Sequence, residues 1–255
     1  MDRGPNTKGV LQRLVDICAT RPATSCIAGN HDFAMAAFLG LLPAHDYSHT
    51  HFDYHTRYDE RLWGSGAFTR DVGRPLTEAD RTAAASMHVF GLRWGATLPD
   101  TLDSVFNSAS TFASYGVAHG DREGLLAAMP ESHKTFLRDL PWVQEHSFDF
   151  GKVVAVHAGL QDKDVEQQLI ILRNKDAHRV WIDPLTGRWD VVDVPAELVG
   201  KDITVVSGHH GFLSVAPQRV IVDESAGHPG TPIAAVILPS KQVVRDAIPE
   251  GVMAV

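Results

Sequence analysis

Five residues stand out by type and setting: Asn30 and His31 in AGNHD, His157 in VAVHAGL, and His209 and His210 in VVSGHHG. Each follows a short apolar stretch, and loops leaving the C-terminal ends of strands are where α/β sheets bind ligands. Imidazole nitrogens and an amide oxygen are suitable ligands for borderline divalent metals such as Mn, Fe or Zn. The flanking glycines let the backbone approach a metal or a phosphate closely. One such histidine would be unremarkable; three motifs in matching positions point to a site.

The elements that must position these residues can be read from periodicity. Residues 6–20 carry apolar side chains at Val10, Leu11, Leu14, Val15, Ile17 and Cys18, an amphipathic helix that Pro22 closes. TSCIAGNHD reads as a short buried strand entering a turn, and AMAAFLGLL as a helix ended by Pro43. Residues 44–107 are expected to be a variable insertion, with a helix from about Glu78 to Trp94 near its end. MPESHKTFLRDL predicts a helix with Pro130 near its start and Ser132 as a possible cap. KVVAVHAGL, DITVVSGHHG, RVIVDES and PIAAVILP are β-branched runs typical of buried strands, and VEQQLIILRNK is a helix between the first two. The expectation is one α/β domain over 1–255.

Composition narrows the function. The 255 residues are 44% hydrophobic and 21% charged, ordinary for a globular protein. No apolar run reaches the roughly 18 residues of a membrane span. Neither an apolar leader nor a disulfide framework is visible, so a reducing cytoplasm is the expected compartment; Cys18 and Cys26 are expected to be buried and inert. A net charge of −8 argues against nucleic acid and anionic membranes as partners. An anionic substrate then requires a local positive centre, either arginines or a metal.

In order along the chain, DRGP, GNHD, VHAGL and SGHHG resemble the calcineurin-like metallophosphoesterases, in their phosphoprotein phosphatase branch. STFASYGV, AMPESHKTFL and the tail AAVILPSKQVVRD extend the similarity to the Rhizobiales-like phosphatases of plants and bacteria, which include phosphotyrosine-specific members. The resemblance implies a β-sandwich flanked by helices and a dinuclear centre, its two ions about 3.5–4 Å apart, that activates water for in-line attack on phosphorus. Mn2+ is the expected ion, with Fe or Zn as alternatives. It further implies Asn30, His157 and His209 as metal ligands and His31 as general acid, oriented by Asp2. Arg3 and His210 would contact substrate. A phosphoprotein or phosphopeptide is the implied partner, phosphotyrosine the implied target.

The family pattern also has a Gly-Asp-x-His-Gly turn and a Gly-Asp pair ahead of DRGP that this sequence does not contain. The expectation is therefore an N-terminally incomplete phosphatase, lacking a leading βαβ unit and the ligands of the first metal, and a poor enzyme as it stands. A dinucleoside polyphosphate hydrolase and a non-catalytic phosphate-binding pseudophosphatase are the alternatives. HDYSHTHFDYHTRYDE gathers His45, His49, His51 and His55, read as a solvated loop rather than a metal clip. Arg93 and Arg179 are candidate phosphate contacts for which surface or packing roles are the expectation, and Tyr115 is expected to be buried with its hydroxyl satisfied.

Overall fold

The structure is a computed structural model that describes residues 2, 4–42, 94, 106, 108–175, 183–224 and 230–246. Arg3, Arg93, Arg179, the four-histidine segment and nearly all of the 44–107 insertion and the Glu78–Trp94 helix lie outside the described residues. What is described forms two compact units, one within 1–26 and 31–140 and one within 27–30, 141–175 and 182–255.

The first unit is helical among its described residues. Helix α1 (Thr7–Thr20) begins where Asn6 accepts a hydrogen bond from the Gly9 N–H, satisfying one of the amides a helix start leaves unpaired. Helix α2 (Asn30–Leu39) follows an extended approach at 24–29 that forms no strand, contrary to the expectation for TSCIAGN. An apolar run becomes a strand only with a ladder to join. Helix α2 is apolar on nearly every side, which marks a buried helix: Phe33, Ala34, Met35, Ala36, Phe38 and Leu39 are all buried. Its end comes at Gly40, earlier than Pro43. Gly40 takes φ 69°, which a β-carbon disfavours, and the Leu41 N–H reaches back to the Ala36 carbonyl. Arg122 donates to the carbonyls of Phe38 (2.6 Å) and Leu39 (3.0 Å), placing a cation where the helix leaves acceptors unpaired.

Its other described helices are short: α3 (Ala109–Ser114), α4 (Arg122–Ala128) and α5 (Glu131–Asp139). Pro130 is the N-terminal boundary residue of α5 and no side chain caps it, so Ser132 does not take the expected role. Phe38, Trp94 and Phe112 form an aromatic triangle with ring centroids 5.5–5.9 Å apart. The Tyr115 hydroxyl meets His133 Nδ1 (2.7 Å), whose Nε2 meets Gln12 (3.0 Å), a chain that ties α1, α3 and α5.

The second unit carries a five-stranded mixed sheet in the order β1-β2-β3-β5-β4. Its strands are β1 (Val143–Phe148), β2 (Gly151–Val156), β3 (Ile203–Ser207), β4 (Ser214–Val215) and β5 (Arg219–Ile221). β2 runs parallel to β3 and β3 to β5, while β1 and β4 are antiparallel. Helix α6 (Val165–Asn174) lies on the crossover from β2 to β3, followed by a short helix α7 (Asp183–Thr186). Val153, Val154, Val156, Val205, Val220 and Ile221 are buried, in keeping with parallel strands covered on their faces. Strand β6 (Ala234–Ile237) is not a buried member of this sheet: it pairs with β7 (Gln242–Arg245) in a separate hairpin and alternates half-buried with exposed. The expectation of an α/β chain therefore holds at the level of class.

Candidate functional site

The site in the second unit follows from two parallel strands ending side by side. Ala155 is paired with Val206, so β2 and β3 release His157 and Gly208 next to each other, and the Gly208 N–H donates to the His157 carbonyl (3.0 Å). The third arm, residues 27–30, is anchored by Ala28, whose N–H donates to the Pro141 carbonyl (2.8 Å). Gly29 is required here: a β-carbon would lie 2.7–3.0 Å from the His157 imidazole, so only hydrogen lets the ring sit against the backbone.

Three donor atoms converge. His157 Nε2 lies 3.0 Å from Asn30 Oδ1 and 3.1 Å from His209 Nδ1. Protonated, Nε2 can donate to Asn30 Oδ1 but not accept from His209 Nδ1; unprotonated, it can accept from Nδ1 but leaves Oδ1 facing a lone pair. A cation would resolve that conflict, since two ligands at right angles on an ion about 2.1 Å away lie about 3.0 Å apart. His209 Nε2 is buried with no hydrogen-bond partner of normal geometry. Burial, then the proximity of His157, Arg188 and His210, pushes His209 down to about 2, with the Thr186 backbone acting weakly in the opposite sense. The imidazole is thus neutral at physiological pH, the form that coordinates metals. The donor set fits a divalent ion of borderline softness, and Asn30, His157 and His209 are the residues that would hold it. Among the described residues no group of three or more His, Cys, Asp or Glu side chains is placed to hold a metal; this cluster has two imidazoles and an amide.

His209 takes φ 70°, an unusual conformation for a residue with a β-carbon. Arg188 Nη1 donates to its carbonyl (2.5 Å), and the Gly211 N–H is held by the Asp223 carboxylate (2.8 Å). The adjacent His210 turns elsewhere, its Nε2 donating to the Ala158 carbonyl (2.7 Å), so it braces the loop that follows His157. Arg219, 5% exposed, donates to the Ala158, Val191, Val192 and Val220 carbonyls and to Ser207 Oγ at 2.8–3.2 Å. Burial lowers its pKa to about 10, which leaves it charged at neutral pH. Two guanidinium groups, Arg188 and Arg219, thus flank the loops that carry His157 and His209.

The first unit holds a second constellation. His31 Nδ1 meets Asp2 Oδ1 at 2.5 Å, and Trp94 Nε1 donates to Asp2 Oδ2 (2.8 Å). Ser110 Oγ donates to the Asp2 backbone carbonyl (2.8 Å), and Phe106 packs edge-on against the His31 ring. Asp2 is 2% exposed, and burial works against its charge, but the His31 contact and the Trp94 hydrogen bond outweigh it and hold the carboxyl below the usual range. The carboxylate fixes His31 through Nδ1 and leaves Nε2 as the ring atom that can exchange a proton.

The structure therefore brings Asn30, His157 and His209 together, and pairs His31 with Asp2. Trp94, Arg188 and Arg219 were not among the sequence-based candidates, although the requirement for a local positive centre pointed to arginines in general. A cavity of about 420 Å³ opens between residues 160–163 and 189–194, with Trp189 and the carboxylates of Asp162, Asp190 and Asp193 among its walls. Among the described residues no helix is long and apolar enough to cross a membrane. No family model matches the chain, and no curated protein matches it significantly.

Proposed function

We propose that the protein is a metal-dependent phosphomonoesterase of the phosphoprotein phosphatase type, acting on phosphoprotein and preferentially on phosphotyrosine. The observation that carries this reading is the convergence, within 3.0–3.1 Å steps, of His157 Nε2 and His209 Nδ1 beyond two parallel strands with Asn30 Oδ1 at the start of α2. A divalent ion bound by these atoms would supply Lewis acidity at a phosphoryl oxygen and help to make a nucleophile of water. The chain's residues do the rest. His209 stays neutral and keeps its lone pair available. Arg188 and Arg219 give an otherwise acidic protein a local positive field that favours an anion. His31, whose ring Asp2 orients through Nδ1, would by the sequence resemblance deliver a proton from Nε2 to the leaving oxygen. The preference for tyrosine rests on the sequence resemblance alone.

The cavity that begins three residues after His157 favours a peptide over a dinucleoside polyphosphate. Its three carboxylates outnumber its one lysine, Lys163, and disfavour a polyphosphate chain, whereas Trp189, 84% exposed, offers an aromatic surface to a side chain. A non-catalytic phosphate-binding protein is the second reading, favoured by the neutral donor set, in which no carboxylate joins the cluster among the described residues. The test is turnover of a phosphotyrosyl peptide against a dinucleoside polyphosphate by the full-length native protein at saturating Mn2+. Hydrolysis of the peptide, lowered by at least about 100-fold in His31→Asn, is the expected result. Preferential cleavage of the polyphosphate would overturn the substrate assignment, and phosphate binding without turnover would transfer the protein to the second reading.

A further inference from the structure

The sequence contains two cysteines, and the fold brings them together within the first unit. Cys18 lies in the last turn of α1, Cys26 in the extended approach after the turn at Pro22, and their sulfurs are 3.7 Å apart. This is van der Waals contact between unbonded thiols, and both side chains are half-buried rather than sealed in the core. Closing the bond needs the sulfurs to approach from 3.7 Å to about 2.05 Å. The turn that sets the pair is defined by its own hydrogen bonds, from Arg21 N–H to the Ile17 carbonyl and from Thr24 N–H to the Arg21 carbonyl (both 2.8 Å).

We propose that Cys18 and Cys26 form an oxidation site that a hydroperoxide converts to a reversible intramolecular disulfide. One thiolate attacks the peroxide oxygen and becomes a sulfenic acid, releasing water or the corresponding alcohol after protonation. The second sulfur then attacks the sulfenic sulfur, the S–S bond forms and the hydroxyl leaves as water. Two thiols lose two protons and two electrons, and the peroxide takes up both. A low-molecular-weight disulfide such as oxidised glutathione reaches the same product by two exchanges, releasing two reduced thiols. Burial, reinforced by the neighbouring Cys18 sulfur, pushes the Cys26 thiol up to about 11, so Cys26 is suited to the role of the resolving sulfur, which enters the second step, rather than of the first attacking thiolate. The bond would pin the end of α1 to the segment that leads, four residues later, to Asn30. The inference stands independently of the metal reading.

The experiment is equilibration of the full-length protein in glutathione redox buffers, folded and in urea, followed by acid quench, thiol alkylation and intact mass. An intramolecular loss of two hydrogens, with peptide mapping that recovers Cys18 linked to Cys26, identifies the pair. The folded protein is expected to show that loss, reversed by dithiothreitol, with an equilibrium constant on the order of tenfold to a hundredfold above that of the unfolded chain. Cys18→Ser should yield a single glutathione adduct instead. Two glutathione adducts on the folded wild type, two alkylated thiols after oxidation, or equal constants for folded and unfolded chains would each overturn the proposal.

Discussion

At the residue scale the account turns on a few side chains whose neighbours set their chemical state. Asp2 shows the logic most clearly. Its carboxyl is buried, yet the His31 contact and the Trp94 indole hold its pKa below the ordinary value of 3.8. A carboxyl lowered in this way contributes stability above its unfolded value, and that contribution disappears as pH falls through the folded value. Asp2→Asn should therefore flatten the acid limb of the stability profile below about pH 4, read from urea midpoints between pH 2.5 and 6. Trp94→Phe keeps an aromatic ring in the triangle with Phe38 and Phe112 but removes the donor to Asp2 Oδ2. A loss of about 1.5–3 kcal/mol is expected at neutral pH, since the orphaned acceptor is charged and buried. If Trp94→Phe were as stable as wild type, the indole would have no part in holding Asp2.

At the scale of elements, the parallel pairing of β2 with β3 matters most, because it delivers His157 and Gly208 side by side. The sheet is supported on its β1 side by Glu145, which binds Arg173 on α6 through both carboxylate oxygens and Lys152 on β2 (2.5 Å). The Arg173 hydrogen bonds, aided by Lys152 and opposed by burial, lower Glu145 to about 2. This group is charged in the folded state down to about pH 2 and in the unfolded state only above about 4.5. Its contribution is thus complete above pH 4.5 and is lost between there and pH 2. Glu145→Gln should cost about 1–2 kcal/mol at pH 7, allowing for the half-exposed bases, and the deficit should vanish near pH 2. A deficit that did not change with pH would assign the effect to packing instead. On the far side of β3, Arg219 ties the Ala158 carbonyl to Ser207 Oγ, so the loops that carry His157 and His209 both depend on one buried guanidinium.

At the scale of the whole molecule, some of this was legible in the sequence and some was not, for physical reasons. The β-branched runs of β2, β3 and β5 and the periodicity of α1 and α6 identify their elements because local pattern and tertiary burial agree. VQEHSF of β1 gives no such signal, since an antiparallel edge strand can carry polar residues. TSCIAGN misled because a short apolar run fits a strand or a buried loop equally well, and the ladder that decides is non-local. Asn30, His157 and His209 could be named because metal-binding types recur at the ends of apolar runs. Trp94, Arg188 and Arg219 could not, since each acts through partners tens of residues away with no spacing to betray them. The central claim is the proposal that Asn30, His157 and His209 hold a divalent ion. The most direct measurement is calorimetric titration of the full-length protein with Mn2+, alongside His157→Ala and His209→Ala. The account predicts saturable binding to wild type that each substitution weakens by at least about tenfold, with circular dichroism showing both variants folded. Equal Mn2+ affinity in wild type and folded variants, or no binding by wild type, would contradict it.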